Sequence, residues 1–223
     1  SFQDTLVMLA DGSIFEPPIV LTNVDYRFLV AEQMAAVGVT GQIVLEPARR
    51  DSGPAVAVAA QVAGARDPQS VVAVLAADHA VRNPAALADL CRQAGEAAQK
   101  GFIVTLGITP DYPATGFGYI RAGAPIAPGS SVCAVEAFVE KPDAATAERY
   151  IGEGYFWNSG NFIFRADIMK GELEAFEPAM LASVRGAVGK AKTDLEFLVL
   201  DRESFEMATK KSIDYAVMER TAK

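Results

Sequence analysis

The sequence contains one histidine, His79, and two cysteines, Cys91 and Cys133, among 223 residues. A single histidine excludes a two-histidine metal site and leaves only one candidate for any histidine-dependent triad. We expect His79 to be structural. The two cysteines lie far apart and in different patterns, which predicts free thiols in a reducing compartment rather than a disulfide framework. The sequence therefore predicts a cytoplasmic protein.

Long apolar runs and basic runs are also missing. The longest apolar stretches, such as Val71 to Ala77, are far shorter than the roughly 20 residues of a membrane-spanning helix, and no charged-then-apolar leader opens the chain. The formal net charge is −8, and no basic cluster suited to a phosphate backbone is present. We therefore expect neither a membrane nor a nucleic acid as a partner.

Short apolar strands alternate with helical patterns in the first half of the chain, which predicts an α/β fold with a doubly wound, mostly parallel (mixed) sheet. The length favours a single domain over residues 1–223. After Pro110 the pattern becomes richer in β-structure, and we expect added strands or a small β-rich lid. The predicted strands of this part are Gly116 to Ala122, Ser131 to Glu140 and Tyr155 to Phe164.

Lys141 is the first candidate site residue. Glu140 and Lys141 end an alternating apolar segment, and Pro142 prevents that segment from continuing as a central strand. Pro142, Asp143 and the alanines after them suit the first turn of a helix, so Lys141 is predicted beside a helix N-terminus. A cation there opposes the helix dipole unless a phosphate lies between them. An exposed loop lysine is the plain alternative, but the dipole favours a ligand role.

The strand that contains Asn158 and Ser159 is interrupted by polar groups and by Gly160. Amides and hydroxyls in an aromatic strand suit the recognition of hydroxyl groups better than sheet packing. Gly118, in the stretch Gly-Phe-Gly-Tyr, is either a strand irregularity or a place where a substrate approaches the backbone.

Two acids and one loop remain open on position alone. Asp78 follows an apolar strand, where an acid either holds Mg²⁺ against substrate phosphates or caps a turn. Asp214 is predicted in the first turn of a helix capped by Ser212, where an acid ordinarily stabilises the helix N-terminus. The loop at residues 49–51 is either a solvated charge cluster or a nucleotide-binding turn before a helix.

Five short motifs together resemble the mannose-1-phosphate guanylyltransferase family, and the resemblance extends over essentially the whole chain. A further segment, Glu46 to Ala55, is similar to the family segment that lies along the nucleotide. The resemblance implies a Rossmann-like fold of the nucleotidyltransferase type and a β-rich part on the sugar side. The motifs are Leu75-Ala76-Ala77-Asp78-His79, Gly116-Phe117-Gly118-Tyr119-Ile120, Phe138-Val139-Glu140-Lys141-Pro142, Trp157-Asn158-Ser159-Gly160 and Ser212-Ile213-Asp214-Tyr215-Ala216-Val217-Met218-Glu219.

The family transfers GMP from GTP to mannose 1-phosphate and releases pyrophosphate, so the resemblance implies these two substrates. It also implies Mg²⁺ as cofactor, bound by Asp78 and Asp214, which replaces the positional interpretation of Asp214. Lys141 is implied on the sugar phosphate. The remaining implied substrate contacts are Gly118, Glu140 and Asn158 on the sugar side and Arg50, Asp51, Ser52 and Gly53 on the nucleotide side.

The sequence departs from the family pattern in three places. Nothing like the family's opening strand and glycine-rich loop precedes Ser1, so we expect little GTP binding or turnover from this chain alone. Asp51 adds negative charge near the expected base site, which makes guanine specificity less secure than sugar-phosphate binding. The chain ends just after Glu219, and we expect no C-terminal β-helix or isomerase domain within it.

Two other functions remain open at this point. A related uridylyl- or thymidylyltransferase for another sugar 1-phosphate would fit the imperfect nucleotide segment. A non-catalytic module that binds a sugar nucleotide would fit the absence of the glycine-rich loop. A homodimer also remains open.

Overall fold

A computed structural model describes residues 2–223 as an α/β fold with two sheets. The first sheet has the strand order β1-β2-β9-β8, and the second has the order β3-β7-β5-β6, with β4 also paired to β7. The strands are β1 (Ile19–Asn23), β2 (Gln42–Glu46), β3 (Val71–Val74), β4 (Val104–Ile108), β5 (Gly118–Pro125), β6 (Cys133–Glu140), β7 (Phe156–Arg165), β8 (Lys192–Asp194) and β9 (Phe197–Val199).

Eight α-helices and two shorter helical segments connect these strands within residues 2–223. A 3₁₀ turn spans Val24–Tyr26, and a π-helix spans Asp214–Met218. No helix in the described part of the chain is long and apolar enough to cross a membrane. The α-helices are α1 (Phe2–Leu9), α2 (Arg27–Ala36), α3 (Ser52–Arg66), α4 (Pro84–Gln99), α5 (Ala144–Gly152), α6 (Ala166–Phe176), α7 (Pro178–Gly189) and α8 (Arg202–Glu206).

The expected α/β class is confirmed, and the pairing is mixed. Parallel pairs join β1 to β2 and β2 to β9, while every pair in the second sheet is antiparallel. The strands predicted after Pro110 are also found, and they belong to the second sheet as β5, β6 and β7. The parallel character predicted from the first half of the chain is therefore confined to the first sheet.

Helix α3 is the central helix of the fold. Its alanine and valine side chains favour a helix without needing a polar face, and most of them are buried. Asp51 caps its N-terminus, since the Asp51 carboxylate accepts a hydrogen bond of 2.8 Å from the Ser52 amide. Because α3 packs against α6 and α7 and contacts both β1 and β3, one helix supports both sheets.

The largest apolar core lies around α3 and joins distant parts of the chain. It contains Val44 of β2, Phe162 and Phe164 of β7, and Val217 of the π-helix, each at most 1% exposed. Burying large apolar side chains of this kind is the main favourable term in folding. The π-helix is thus part of the core on one side, and its polar residues face the candidate site on the other.

Two sequence predictions differ from the structure in detail. The helix expected at Asp214 is a π-helix without a side-chain cap, although the Tyr215 amide lies 3.5 Å from the Ser212 hydroxyl oxygen. The helix expected after Pro142 begins at Ala144, with Asp143 as its N-cap. The first helix spans Phe2–Leu9, and Ser1 lies outside the described residues.

Gly53 provides a test of how α3 is joined to the end of the chain. Its amide donates a 3.0 Å hydrogen bond to the Lys211 carbonyl, and a Cβ at Gly53 would lie 2.4 Å from that oxygen. We expect Gly53→Ala to lower the free energy of unfolding by about 1–3 kcal/mol, because a backbone atom must move. Gly171→Ala is the matched control, since its Cβ would meet nothing within 4 Å in α6. Urea denaturation measures the free energy of unfolding of both variants, and equal values for Gly53→Ala and Gly171→Ala would contradict the prediction.

Candidate active site

Gly118, Glu140 and Asn158 come together where β5 begins, β6 ends and β7 pairs with β4 and β5. Gly118 pairs with Glu140 in the β5–β6 register. A Cβ at Gly118 would lie 2.6 Å from the Glu140 Oε2 atom and 3.3 Å from the Asn158 Cβ atom. A side chain at this position would therefore displace the Glu140 carboxylate and press against Asn158.

Lys141 stands at the exposed edge of this group. Its Nζ atom lies 2.8 Å from the Glu140 Oε1 atom, and the two side chains are 50% and 6% exposed, respectively. The hydrogen bond with Glu140 is the main cause that raises the pKa of Lys141, so the ammonium form is favoured. A half-exposed ammonium backed by a buried carboxylate can reach an incoming anion.

The backbone of Lys141 is held in an unusual conformation. Its φ angle is 48°, in the left-handed region that residues other than glycine seldom adopt. The Lys141 amide donates a 3.2 Å hydrogen bond to the Phe117 carbonyl, which ties this turn to the start of β5. Residues held in this region are concentrated at functional sites because the surrounding structure must hold them there.

The predicted conflict between Lys141 and a helix dipole is resolved within the chain. Asp143 caps α5, since its carboxylate accepts a 2.8 Å hydrogen bond from the Thr146 amide. Glu140 pairs with Lys141 directly. The sequence argument placed a phosphate between Lys141 and the helix end to remove this conflict, but two carboxylates already balance the charges.

Asn158 is fixed by hydrogen bonds on both sides of its amide. Its oxygen accepts from the Thr105 hydroxyl at 2.7 Å and from the Gly160 amide at 3.2 Å. Its nitrogen donates to the Asp214 Oδ1 atom at 2.8 Å. The amide orientation is set by this network, and one N–H of the side chain stays available for a ligand.

Asp214 is a partly buried carboxylate with a shifted pKa. Burial is the main cause that raises its pKa to about 6, and the negative charge of Glu140 acts in the same direction. The hydrogen bond from Asn158 and the charge of Lys141 oppose this shift. A third acid, Glu219, accepts a 3.0 Å hydrogen bond from the Glu140 amide. Three acids and one lysine thus surround the site.

The nucleotide-side candidates lie at the N-terminus of α3 and make internal contacts. The Ser52 hydroxyl oxygen accepts a 3.0 Å hydrogen bond from the Ile213 amide, and Gly53 is bonded to Lys211 as described above. An N–H of the Arg50 side chain donates to the Glu206 carbonyl, while its buried Nε atom has no partner among the described residues. Asp51 is exposed and has a φ angle of 71°. These contacts connect the predicted nucleotide segment to the segment that carries Asp214.

Asp78 is not joined to this network. It is exposed after β3, and its side chain forms no hydrogen bond or ion pair within residues 2–223. In the same part of the chain, no group of three or more histidine, cysteine, aspartate or glutamate residues could hold a metal ion. The structure therefore offers no complete protein cage. Mg²⁺ is commonly held by one or two carboxylates together with substrate phosphates, and Asp78 and Asp214 fit that role by residue type.

Three further residues were not identified from the sequence. Thr105 looks like an ordinary polar position of an alternating strand, and Glu219 was noted only as the end of a motif. Glu46, at the end of β2, has a pKa raised to about 7 by burial, and its side chain has no partner within the described part of the chain. The one sequence signal for Glu219 was its position five residues after Asp214. Residues at this spacing lie on a similar face of a π-helix but not of an α-helix.

The charge arrangement predicts how Asp214 titrates. Because the folded-state pKa is raised, the protonated form contributes stability at low pH, and this contribution is lost as the pH rises through about 6. We expect Glu140→Gln to lower the Asp214 pKa by removing a nearby negative charge. The measurement is an NMR titration of the Asp214 carboxyl carbon.

Glu136→Gln is the control for that titration. Glu136 lies on the same strand, β6, but it is 55% exposed and pairs with Arg121. The control should leave the Asp214 titration where it is in the unaltered chain. An Asp214 pKa that does not change in Glu140→Gln would contradict the assigned proximity.

The chain was compared with known proteins by sequence and by structure. A sequence profile described as "Nucleotidyl transferase" matches residues 2–202. The xanthan biosynthesis protein XanB of Xanthomonas campestris pv. campestris (strain B100) is 45% identical over 207 residues, covering 92% of this chain and 44% of XanB. Mannose-1-phosphate guanylyltransferase ManC of Salmonella typhimurium is 44% identical over 224 residues, covering 98% of this chain and 47% of ManC.

A solved structure extends this similarity. The structure described as mannose-6-phosphate isomerase from Helicobacter pylori superposes with a TM-score of 0.87 and 26% identity, covering 100% of this chain and 85% of that one. The chain spans a little under half the length of the two sequence relatives. Because the profile matches residues 2–202, well over half of the chain, the chain belongs to the nucleotidyl transferase family.

Proposed function

We propose that the protein transfers GMP from GTP to mannose 1-phosphate, giving GDP-mannose and pyrophosphate. The observation that carries the proposal is the group formed by Lys141, Glu140, Asn158 and Asp214, in which a half-exposed ammonium lies in front of buried hydrogen-bonding groups. The name of the ManC relative supports the choice of GTP and mannose 1-phosphate.

The chemistry requires positioning and charge neutralisation rather than a strong base. A phosphate oxygen of mannose 1-phosphate attacks the α-phosphorus of GTP, the bond from that phosphorus to the β-phosphate bridging oxygen breaks, and pyrophosphate leaves. The attacking oxygen is already anionic, so no proton needs to be removed. A site without a catalytic histidine or cysteine is sufficient when it aligns the reactants.

Lys141 would contact the sugar phosphate. To do so, its Nζ atom exchanges part of its pairing with Glu140 for a phosphate oxygen, and its exposure leaves room for this exchange. Glu140 and the free N–H of Asn158 would then bind sugar hydroxyls, with Gly118 allowing the sugar close to the backbone. Because Asn158 is held by Thr105 and Asp214, it needs no reorganisation to donate.

Asp78 and Asp214 would hold Mg²⁺ together with the phosphates of both substrates. The ion would neutralise charge on the triphosphate and draw the two reactants together. Arg50, Asp51, Ser52 and Gly53 would lie along the nucleotide. The cytoplasmic location and a homodimer remain predictions from the sequence.

A pyrophosphate-release assay tests the proposal, with the protein in its full natural length so that any residues outside 1–223 are present. GTP, mannose 1-phosphate and Mg²⁺ should support release. We expect Lys141→Met to lower kcat/KM on the order of a hundredfold or more, because the positive charge that faces the attacking phosphate is lost. Lys100→Met, which removes an exposed lysine at the end of α4, should keep the activity of the unaltered protein.

The same assay separates the alternatives. Release only with UTP or dTTP would replace the guanylyltransferase by a uridylyl- or thymidylyltransferase. Binding of GDP-mannose in calorimetry without any turnover would indicate a non-catalytic module. Normal rates in Lys141→Met would exclude the role given to that residue.

A further inference from the structure

One carboxylate holds both ends of the segment that carries Asp214. The Glu177 Oε1 atom accepts hydrogen bonds from the Lys211 Nζ atom at 2.7 Å and from the Arg220 Nη1 atom at 2.8 Å. Glu177 lies between α6 and α7, and its side chain is 15% exposed, against 33% for Lys211 and 40% for Arg220. Glu177 is therefore the least exposed of the three side chains, and it pairs with two cations that lie nine residues apart in the sequence.

Further contacts fix the same two ends. The Lys211 carbonyl accepts from the Gly53 amide. Arg220 donates from Nη1 to the Ala216 carbonyl at 3.2 Å and from Nη2 to the Phe176 carbonyl at 3.3 Å, and its guanidinium lies 4.6 Å from the centroid of the Phe176 ring. Glu177 is the contact that both ends share.

The segment between these ends has a backbone that needs such support. It contains the π-helix Asp214–Met218, and the Glu219 amide donates to the Asp214 carbonyl at 3.0 Å. A π-helix is rare and usually marks a functional position. Its N-cap residue, Ile213, provides no side-chain hydrogen bond, and the Ile213 amide donates instead to the Ser52 hydroxyl oxygen, outside the segment.

The position of this segment decides two contacts in the candidate active site. Asp214 receives the hydrogen bond from Asn158, and Glu219 receives the hydrogen bond from the Glu140 amide. Both acids would move with the segment if its ends were released. Glu177 contacts none of Asn158, Glu140 and Lys141, so it can affect them only through residues 211–220.

We propose that Glu177 is a positioning residue for the sugar-phosphate side of the active site. It holds Lys211 and Arg220 so that Asp214 and Glu219 meet Asn158 and Glu140. This inference rests on the proposed function for its kinetic part. Its structural part, the anchoring of residues 211–220, stands on the contacts alone.

The charges explain why a neutral residue would not replace Glu177. One partly buried carboxylate is shared by two cations, and its removal leaves both of them without this counter-charge. Glutamine has nearly the same shape and can still accept a hydrogen bond. Glu177→Gln therefore weakens the anchor while preserving the packing between α6 and α7.

The test compares Glu177→Gln with Glu174→Gln in the full-length protein. Glu174 also joins α6 to α7, through a 2.8 Å ion pair with Arg185, but both side chains are more than half exposed and neither contacts residues 211–220. We expect Glu177→Gln to raise KM for the sugar phosphate on the order of tenfold to a hundredfold, because the binding groups are misplaced. Glu174→Gln should match the unaltered protein in KM for both substrates.

Hydrogen exchange provides a readout that is independent of activity. In Glu177→Gln, the amides of residues 212–220 should exchange faster, while those of α4 and β3 keep their protection. Adding Lys211→Met to Glu177→Gln should accelerate exchange less than Lys211→Met does alone, since the shared contact is already lost.

The outcomes separate the two proposals. If the unaltered protein releases no pyrophosphate, the proposed function fails, and hydrogen exchange still decides the anchoring. The anchoring is overturned if Glu177→Gln exchanges like the unaltered protein, or if all parts of the chain exchange faster together. The kinetic role is overturned if Glu177→Gln is active and exchanges faster at residues 212–220 but keeps the KM of the unaltered protein for the sugar phosphate.

Discussion

The hydrogen bond from Asn158 to Asp214 joins two parts of the chain that are 56 residues apart, and the candidate active site depends on it. Burial raises the pKa of Asp214, so the carboxylate is costly unless a donor faces it. Asn158 can donate in the right direction only because Thr105 and Gly160 fix its amide oxygen. Two strands, β4 and β7, are therefore needed to satisfy one acid of the π-helix.

This requirement also explains the charge balance around Lys141. Glu140, Asp214 and Glu219 lie close together, and Lys141 is the cation that pairs directly with this group. An anionic substrate that binds Lys141 must approach buried negative charge, which would be unfavourable without a further cation. The arrangement is consistent with a divalent ion that accompanies the phosphates, since such an ion offsets both sets of negative charge.

The sequence predicted the parts of this site that have local signals. Pro142 after Glu140 and Lys141 marks a strand end, and the polar run around Asn158 marks an interrupted strand; both lie in the candidate site. The raised pKa of Asp214 could not be predicted, because it depends on burial by residues distant in the chain. The pairing of Lys141 with Glu140 was also missed, since adjacent residues in an ordinary strand point to opposite faces, and the positive φ of Lys141 changes that geometry.

For the fold, too, the sequence predicted the local elements but not how they pack together. Alternating apolar segments indicate strands and helices locally, and their bounds were close to those observed. Which strands pair in parallel is set by packing, and here the parallel pairs lie only in the first sheet. No short-range pattern states that α3 supports both sheets, because its alanine and valine side chains fit a buried helix of any topology.

The link between α3 and residues 211–213 gives the predicted nucleotide segment a second role. Ser52 and Gly53 were predicted to contact a nucleotide, and in the structure they bind Ile213 and Lys211 through a hydroxyl oxygen and a backbone amide. A ligand that moved the N-terminus of α3 would therefore also move the segment that carries Asp214. Because the Ser52 hydroxyl hydrogen is not used in this contact, the residue can support Ile213 and donate to a ligand at the same time. The two sides of the site are thus coupled through two hydrogen bonds and share one support.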